Sequence, residues 1–489
     1  MIENEAALER LPIIIKPELS RVLLRPFDFS NNERITKIMS RVMLLSISEV
    51  EVLLEDILKS FSSRHFKLEK KILDRYEELK PFSLTDEEPS DKHKLLIGSY
   101  FLSEYSLEAA AIFNPSMILH PDQNDLPKGS SRYIISLRST GEGHISSISF
   151  RECILDEDAN IELIPASKIV QCPEPIEDQH YNKKTFSMKL FELGLTGDFT
   201  NDVLSHLGHD FIRKELDLAL DDEVIKRRGT NNRYLESAEG IRVLARSNFR
   251  VTFDSSLALS EKVLFPHSPS QRKGIEDARF VRFVDDDNSV TYYATFTAYD
   301  GRVVLPELLE TTDFQDFHII TLNGKAVQNK GMALFPRKIN KKYYMLSRQD
   351  NENIFLMSSD NIHFWHEEKR ILQPTYPWQF VQLGNCGSPI ETKEGWLVLS
   401  HGVGPLRTYC IGAFLLDLED PTKIIGRLRE PLIKPIAEER EGYVPNVVYS
   451  CGAVIHNEYL FIPYAYSDVG SRFAKINTKS LLKMLLEKK

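Results

Sequence analysis

The sequence predicts an all-β fold, a five-bladed β-propeller carrying an N-terminal helical region and a helical insertion. Three observations predict it. From about residue 97 the chain turns into short alternating strands punctuated by Gly, Pro, Asn and Asp. Within that part an aspartate beside an aromatic or apolar residue recurs at Asp254, Asp313, Asp360, Asp417 and Asp468, at intervals of 59, 47, 57 and 51 residues. Each interval holds about four short strands, the size of one blade. Helical periodicity, by contrast, is confined to the N-terminal region, to residues 183–227 and to the last dozen residues. A β-sandwich with irregular loops is the second architecture this texture fits.

The elements follow in order. Between residues 30 and 80, apolar residues recur at helical spacing: Ile35, Ile38, Met39 and Val42, then Val50, Val52, Leu53, Ile57 and Leu58. This reads as a helical hairpin capping the body or mediating self-association as a homo-oligomer. The polar run SLTDEEPSDKHK at 83–94 reads as a linker. Residues 1–95 are thus assigned to an N-terminal helical extension and 96–489 to the propeller domain. FSMKLFELGL and DVLSHLGHDFIRKELDLAL, within about 183–227, form the insertion, and NTKSLLKMLLEKK ends the chain as a helix at about 477–488.

Composition narrows the function classes. Hydrophobic residues at 42% and charged residues at 27% are ordinary for a globular protein. A formal charge of −10 argues against a nucleic-acid surface as the main business of the chain. No apolar run approaches the roughly 18–20 residues that span a membrane. The acidic start MIENEAALER lacks the order of a secretory signal, so a cytoplasmic location is expected. The five cysteines form no CxxC pair and read as reduced, buried thiols rather than a disulfide framework or zinc site. No metal and no cofactor are expected.

The stretch GIEDARFVRF at 274–283, followed by YYATFTAYDGR, carries the most chemistry. It sets Glu276 and Asp277 between a glycine turn and an apolar run, with Arg279 and Arg282 close behind. A carboxyl group at a strand mouth, flanked by arginines and an Asp-bearing aromatic turn (Tyr299, Asp300), suits sugar chemistry. One carboxyl protonates a leaving oxygen while its neighbours hold hydroxyls and anions. On spacing alone, a turn with a surface salt bridge is the favoured reading of the pair. Further polar turns recur downstream and upstream. They are FNPS with Asn114, the strand ending in Arg138, KGMALFP with Lys330, and YYMLSRQDNEN with Arg348, Asp350 and Glu352. WLVLSHGVGPLR adds His401 and Arg407, EREGYVPNVVY adds Tyr443 and Asn446, and PYAYSD ends in Asp468.

Taken in order, GIEDAR, the AYDGR turn, KGMALFP, the GWL and HGV pair, LLDLEDP, GYVPNVVYSCG and the closing Tyr/Asp turn resemble glycoside hydrolase family 130. That family comprises the β-mannoside phosphorylases and their hydrolytic relatives. The resemblance runs from about Asn114 to Asp468 and leaves the N-terminal helices outside the family core. It implies a five-bladed propeller and inverting chemistry with Asp277 as proton donor. The proton would pass through a hydroxyl of the bound mannosyl unit. It further implies that Asn114, Arg138, Asp300 and Asp468 bind the mannosyl unit, with Tyr443 and Asn446 walling the site.

The reaction subtype rests on what faces the other side of the sugar. Phosphate needs several cationic or N–H donors converging there. Arg302, Lys330, Arg348 and His401 occupy motif positions resembling those that supply the phosphate site in the family's phosphorylases. This favours phosphorolysis of a β-manno-oligosaccharide by inorganic phosphate, releasing α-mannose 1-phosphate from the non-reducing end. The alternative is an inverting β-mannosidase in which Asp350 or Glu352 activates water. A non-catalytic carbohydrate-binding propeller is the third reading, disfavoured by the acid pair.

Overall fold

The structure, a computed structural model, describes residues 8–83, 87–176, 179–228, 233–299 and 304–487. The protein is mostly β, with helices confined to the N-terminal third, one insertion and the C-terminal end. Five antiparallel meanders follow one another along the described residues. The first runs Ala111–Leu119, Ser131–Thr140, Ser146–Leu155 and Ile161–Leu163. The second runs Gly274–Val284, Val290–Tyr299, Val304–Thr311 and Asp316–Thr321. It merges with the first into an eleven-stranded sheet through the parallel pair Gly274 and Ser146.

The third meander spans Lys330–Leu334 to Glu367–Leu372, and the fourth Gln382–Asn385 to Ile424–Arg427. The fifth contains Val448–Tyr449, Tyr459–Tyr466 and Gly470–Asn477. Strand Ala111–Leu119 packs against Gly274–Val284 on one side and against Tyr459–Tyr466 on the other. The first meander therefore neighbours both the second and the fifth.

The predicted aspartate repeat is half structural. Asp313, Asp360 and Asp417 all lie just after the third strand of their meanders. There Asp313 Oδ1 accepts from the amides of Gln315 and Asp316, and Asp417 Oδ1 from those of Glu419 and Asp420. A short side-chain acceptor closing a turn on its own backbone explains why aspartate recurs. Asp156 does the same in the first meander, accepting from Asn160 N at 2.8 Å. Asp254 and Asp468 occupy other places, and their spacing is coincidental.

The N-terminal region holds the helices Asn32–Met43, Ile47–Phe61, Leu68–Leu79 and Asp91–Ser99. Two strands, Glu9–Ile15 and Val22–Pro26, accompany them and depart from the purely helical expectation. Glu9–Ile15 pairs antiparallel with Gly470–Asn477 and so completes the fifth meander from the other end of the chain. Its apolar run PIII is too short for periodicity to distinguish strand from helix. The insertion contains Lys183–Glu192, Asp198–Ser205 and Arg213–Lys226, and extends beyond the expected end with Arg233–Arg246. Its helices pack around their own apolar cluster of Phe186, Leu190, Val203, Leu216 and Ile241. Thr478–Leu486 is the C-terminal helix, capped by Asn477 and buried through Leu481, Leu482 and Leu485.

Candidate active site

Bulges in the first strands of three neighbouring meanders build the site. Pairing slips between Phe113 and Ser116, between Glu276 and Arg279, and between Lys330 and Ala333. At each slip one residue takes left-handed backbone: Asn114 at φ 50°, Asp277 at φ 54° and Gly331 at φ 88°. Asn, Asp and Gly are the residues that enter this region at least cost. The extra residue turns the strand and re-aims its side chain toward the shared centre. The bulge thus selects the residue types that the chemistry also uses.

Asp277, 8% exposed, lies at that centre. Its Oδ1 accepts from Asn114 Nδ2 at 2.7 Å and from Arg138 Nη1 at 3.3 Å. Arg138 also donates to Glu276 Oε1 at 2.7 Å and to Ser146 Oγ at 2.9 Å, and its guanidinium lies over the Phe113 ring. Lys330 Nζ stands 3.9 Å from Glu276 Oε2. Burial pushes the Asp277 carboxyl up, but the charges of Arg138, Lys330 and Arg279 outweigh it and hold it down at about 2. Burial raises Asp468, across the pocket, to about 6, with the negative charge of Asp277 adding to the rise against Arg138. Two carboxyls near one arginine are thereby driven apart in acidity.

Cations line the other side. Arg348, 5% exposed, donates from Nη1 to His401 Nε2 at 3.0 Å. The Gln382 amide turns its oxygen to the same guanidinium, taking Nε at 3.3 Å, since a guanidinium has only donors to offer. His401 is 2% exposed. Burial, reinforced by the charges of Arg348 and Arg279, holds its pKa well below the ordinary histidine value. The neutral ring therefore accepts from Arg348 at Nε2 and carries its proton on Nδ1, 3.9 Å from Cys386 Sγ. Gly384 pairs opposite His401, and a Cβ there would meet the ring at 2.4 Å, so only glycine leaves room for the imidazole. Tyr409 stacks on His401 at 5.9 Å and 10°. Arg407, at φ 56° in the turn after Pro405, lies over the Tyr409 ring.

One pocket is lined by Asn114, Arg138, Asp277, Lys330, Arg348, His401, Arg407 and Asp468. The structure thus brings together six of the expected sugar- and phosphate-side residues with the expected acid. Asp300 and Arg302 lie outside the described residues. Tyr443 is not among the lining residues; it is 68% exposed and stacked on His144 at 5.3 Å. Asn446 holds its turn at φ 62°, its carbonyl accepting from Tyr409 N at 3.0 Å, and it is not among the lining residues. Asp350 and Glu352 are not lining residues either. Asp350 closes a turn, accepting from the amides of Glu352 and Asn353 and from the Asn353 side chain.

Tyr449, Tyr409 and Gln382 were not singled out from the sequence. Tyr449 lines the pocket and accepts through its hydroxyl from Arg279 Nη2 at 2.6 Å, while Arg279 Nη1 donates to the Asp277 carbonyl. Alternation from Val447, a pocket-lining residue two positions earlier, was the signal that marks Tyr449. Trp378, in the aromatic turn TYPWQF, packs over Gly402 and Gly412 and donates to Arg429 O at 2.8 Å. It is a wedge within the fourth meander.

Residues 253–487 match the family model described as β-1,4-mannooligosaccharide phosphorylase. The chain is 32% identical over 248 residues to a 1,2-β-oligomannan phosphorylase of a Thermoanaerobacter species, covering 49% of this chain and 80% of that protein. It is 34% identical over 261 residues to a β-1,2-mannobiose phosphorylase of Listeria innocua, covering 52% and 70%. The solved complex of Listeria innocua β-1,2-mannobiose phosphorylase with β-1,2-mannobiose overlays with a TM-score of 0.46 at 24% identity, over 77% of this chain and 92% of that one. The chain belongs to glycoside hydrolase family 130.

Proposed function

We propose that this protein is an inverting β-mannoside phosphorylase, releasing α-mannose 1-phosphate from the non-reducing end of β-manno-oligosaccharides. The observation that carries the reading is the make-up of the pocket. Lys330, Arg348 and Arg407 share it with Asp277, while the two candidate bases for water, Asp350 and Glu352, are outside its lining. An anion is the ligand this charge pattern accepts. The named phosphorylases among the relatives point the same way, and two of them act on β-1,2-linked mannosides by name. The five meanders, with the first touching both the second and the fifth, support a five-bladed propeller whose funnel holds the site.

In this mechanism Asn114, Arg138 and Asp468 hold the mannosyl hydroxyls. Among the described residues Asn114 Oδ1 is buried without a partner, ready to accept from a hydroxyl. Phosphate sits on the cationic side, oriented by Arg348, which His401 and Gln382 hold in place. A phosphate oxygen attacks the anomeric carbon from the face opposite the leaving group, forming the α-linked ester as the β-glycosidic bond breaks. Asp277 supplies the proton to the departing oxygen through a mannosyl hydroxyl. In the free protein Asp277 is ionised because of the surrounding cations. A phosphate dianion beside Lys330 and Arg348 offsets that charge and raises the carboxyl, so the acid gains its proton as the nucleophile arrives.

The test is to incubate the protein with β-1,2-, β-1,3- and β-1,4-mannobiose, with and without phosphate, and to measure mannose and mannose 1-phosphate. Phosphate-dependent mannose 1-phosphate supports the proposal. Free mannose at an equal rate without phosphate refutes it.

A further inference from the structure

Away from the catalytic pocket, two cavities share a wall between the helical insertion, the strand Val22–Pro26 and the second meander. The inner one, about 270 Å³, is walled mainly by apolar side chains, among them Leu24, Val251, Leu264, Phe296 and Ile319. The outer one, about 920 Å³, opens beneath the insertion. Arg25, Phe249, Phe265, Pro266 and His267 line both. Neither shares a lining residue with the catalytic pocket.

The outer cavity is cationic in a chain of net charge −10. Arg213, Lys214, Arg246, Arg250 and Arg272 line it alongside two carboxylates, Asp217 and Asp221. Both carboxylates are already engaged, Asp217 by Arg213 at 3.6 Å and Asp221 by Arg242 at 2.6 Å. Among the described residues, no carboxylate ion-pairs with Lys214, Arg246, Arg250 or Arg272. At the junction, Arg25 is pinned by aromatic faces, 4.8 Å from the Phe265 centroid and 5.3 Å from that of Tyr105. His267 packs on Phe249 beside it. An apolar chamber thus opens, past an arginine fixed by its ring contacts, into a basin where Arg246, Arg250 and Arg272 have no carboxylate ion pair among the described residues.

We propose that this pair of cavities is a binding site for an amphiphilic anion, an alkyl phosphate or its equivalent. The tail would occupy the inner chamber and the head would lie among Arg25, Arg246, Arg250 and Arg272. A cavity of about 150 Å³ lined by apolar groups takes a benzene ring. The inner chamber is nearly twice that and takes a chain of roughly eight carbons. Burial of each methylene drives the tail inward, and the guanidinium groups match a phosphate head in planar, paired hydrogen bonds. Ile275 lines the inner chamber two residues from Asp277 on the same strand, so the tail would press on the strand that carries the acid.

The test is calorimetric titration of the whole protein with octyl phosphate below its micellar concentration, beside butyl phosphate, inorganic phosphate and octanol. Octyl phosphate should bind one to one and at least tenfold more tightly than inorganic phosphate. Affinity should rise about two- to fourfold per added methylene along the alkyl series. The Arg246→Glu/Arg250→Glu double variant, with both side chains exposed and remote from the catalytic pocket, should lose at least tenfold in octyl phosphate affinity and keep its turnover of mannoside. Leu24→Trp, which fills the inner chamber, should abolish the chain-length dependence. If Leu24→Trp fails to fold, the alkyl series on the unaltered protein still decides the tail. Equal affinity for octyl and butyl phosphate, unchanged binding by the double variant, or displacement of octyl phosphate by β-1,2-mannobiose would each overturn the proposal. None of the binding readouts depends on the reaction catalysed.

Discussion

Asn114 and Asp277 face one another from left-handed bulges in the first strands of neighbouring meanders, joined by a hydrogen bond of 2.7 Å from Nδ2 to Oδ1. The amide gives its nitrogen to the acid, and its oxygen has no partner among the described residues, so in the proposed reaction one side chain links the proton donor to the sugar. Asn114→Gly tests this, because glycine keeps the backbone conformation and removes only the side chain. The expected result is a loss of about 10- to 100-fold in kcat/KM for the mannoside, with the melting temperature little changed. Turnover within a factor of two of the unaltered protein would remove Asn114 from the mechanism.

His401 is a positioning residue for Arg348 in this account. A ring kept neutral adds no charge to an anion site, so its contribution is the acceptor at Nε2. His401→Gln offers an acceptor and His401→Phe does not. The expected pattern is a KM for phosphate raised at least tenfold in the Phe variant and partly recovered in the Gln variant, with the KM for mannoside less affected. Equal effects on both substrates in both variants would indicate a packing role alone.

Asp468 gives a stability profile with a defined sign. Its folded pKa of about 6 lies above the unfolded value near 3.9. The folded state thus binds the proton more tightly, and this stability is present below pH 4 and lost as pH rises through 6. Asp468→Asn removes that loss. Thermal melts between pH 4 and 8 should show the variant gaining on the unaltered protein as pH rises, by roughly 1–2 kcal/mol after allowance for partial exposure. Parallel profiles would mean the carboxyl is not raised.

A buried polar cluster joins the insertion to the strand leading into the site. Glu307, with no exposed surface, accepts from Ser270 Oγ at 2.6 Å and Gln271 Nε2 at 2.8 Å, just ahead of Gly274. Lys189 of the insertion bonds Asn248 and Thr321 nearby. Burial raises the Glu307 carboxyl to about 7 and lowers the Lys189 ammonium to about 7. Glu307→Ala should destabilise the protein by about 2–4 kcal/mol by orphaning these donors, read as a lowered denaturation midpoint in urea. A change under 1 kcal/mol would contradict the cluster's structural role.

What the sequence made legible was local. The bulges are written as Asn, Asp and Gly inside apolar strands, which is why FNPS, GIEDAR and KGMALFP stood out, and their charged neighbours fall in one pocket. Alternation marked the strands, and an Asx turn after the third strand gave two of the five repeat positions, Asp313 and Asp417. Contacts between distant segments were not legible. Pairing of Glu9–Ile15 with Gly470–Asn477 joins opposite ends of the chain, and no local signal encodes it. The burial of Lys189 and Glu307 likewise depends on where the insertion docks, which helical periodicity does not reveal. In GYVPNVVYSCG the exposed Tyr443 drew attention from the buried Tyr449, a difference that only strand phase resolves.

In the proposed reaction phosphate, and not water, attacks the mannosyl carbon with inversion while Asp277 delivers the proton. Phosphorus and proton NMR of the first minutes of reaction with β-1,2-mannobiose tests it most directly, run for the unaltered protein and for Asp277→Asn, which tolerates the same backbone conformation. The expected outcome is α-mannose 1-phosphate as the first product, formed only with phosphate present, and a rate at least about 1,000-fold lower in the variant. Appearance of β-mannose 1-phosphate, of free mannose without phosphate, or of undiminished turnover in Asp277→Asn would contradict it.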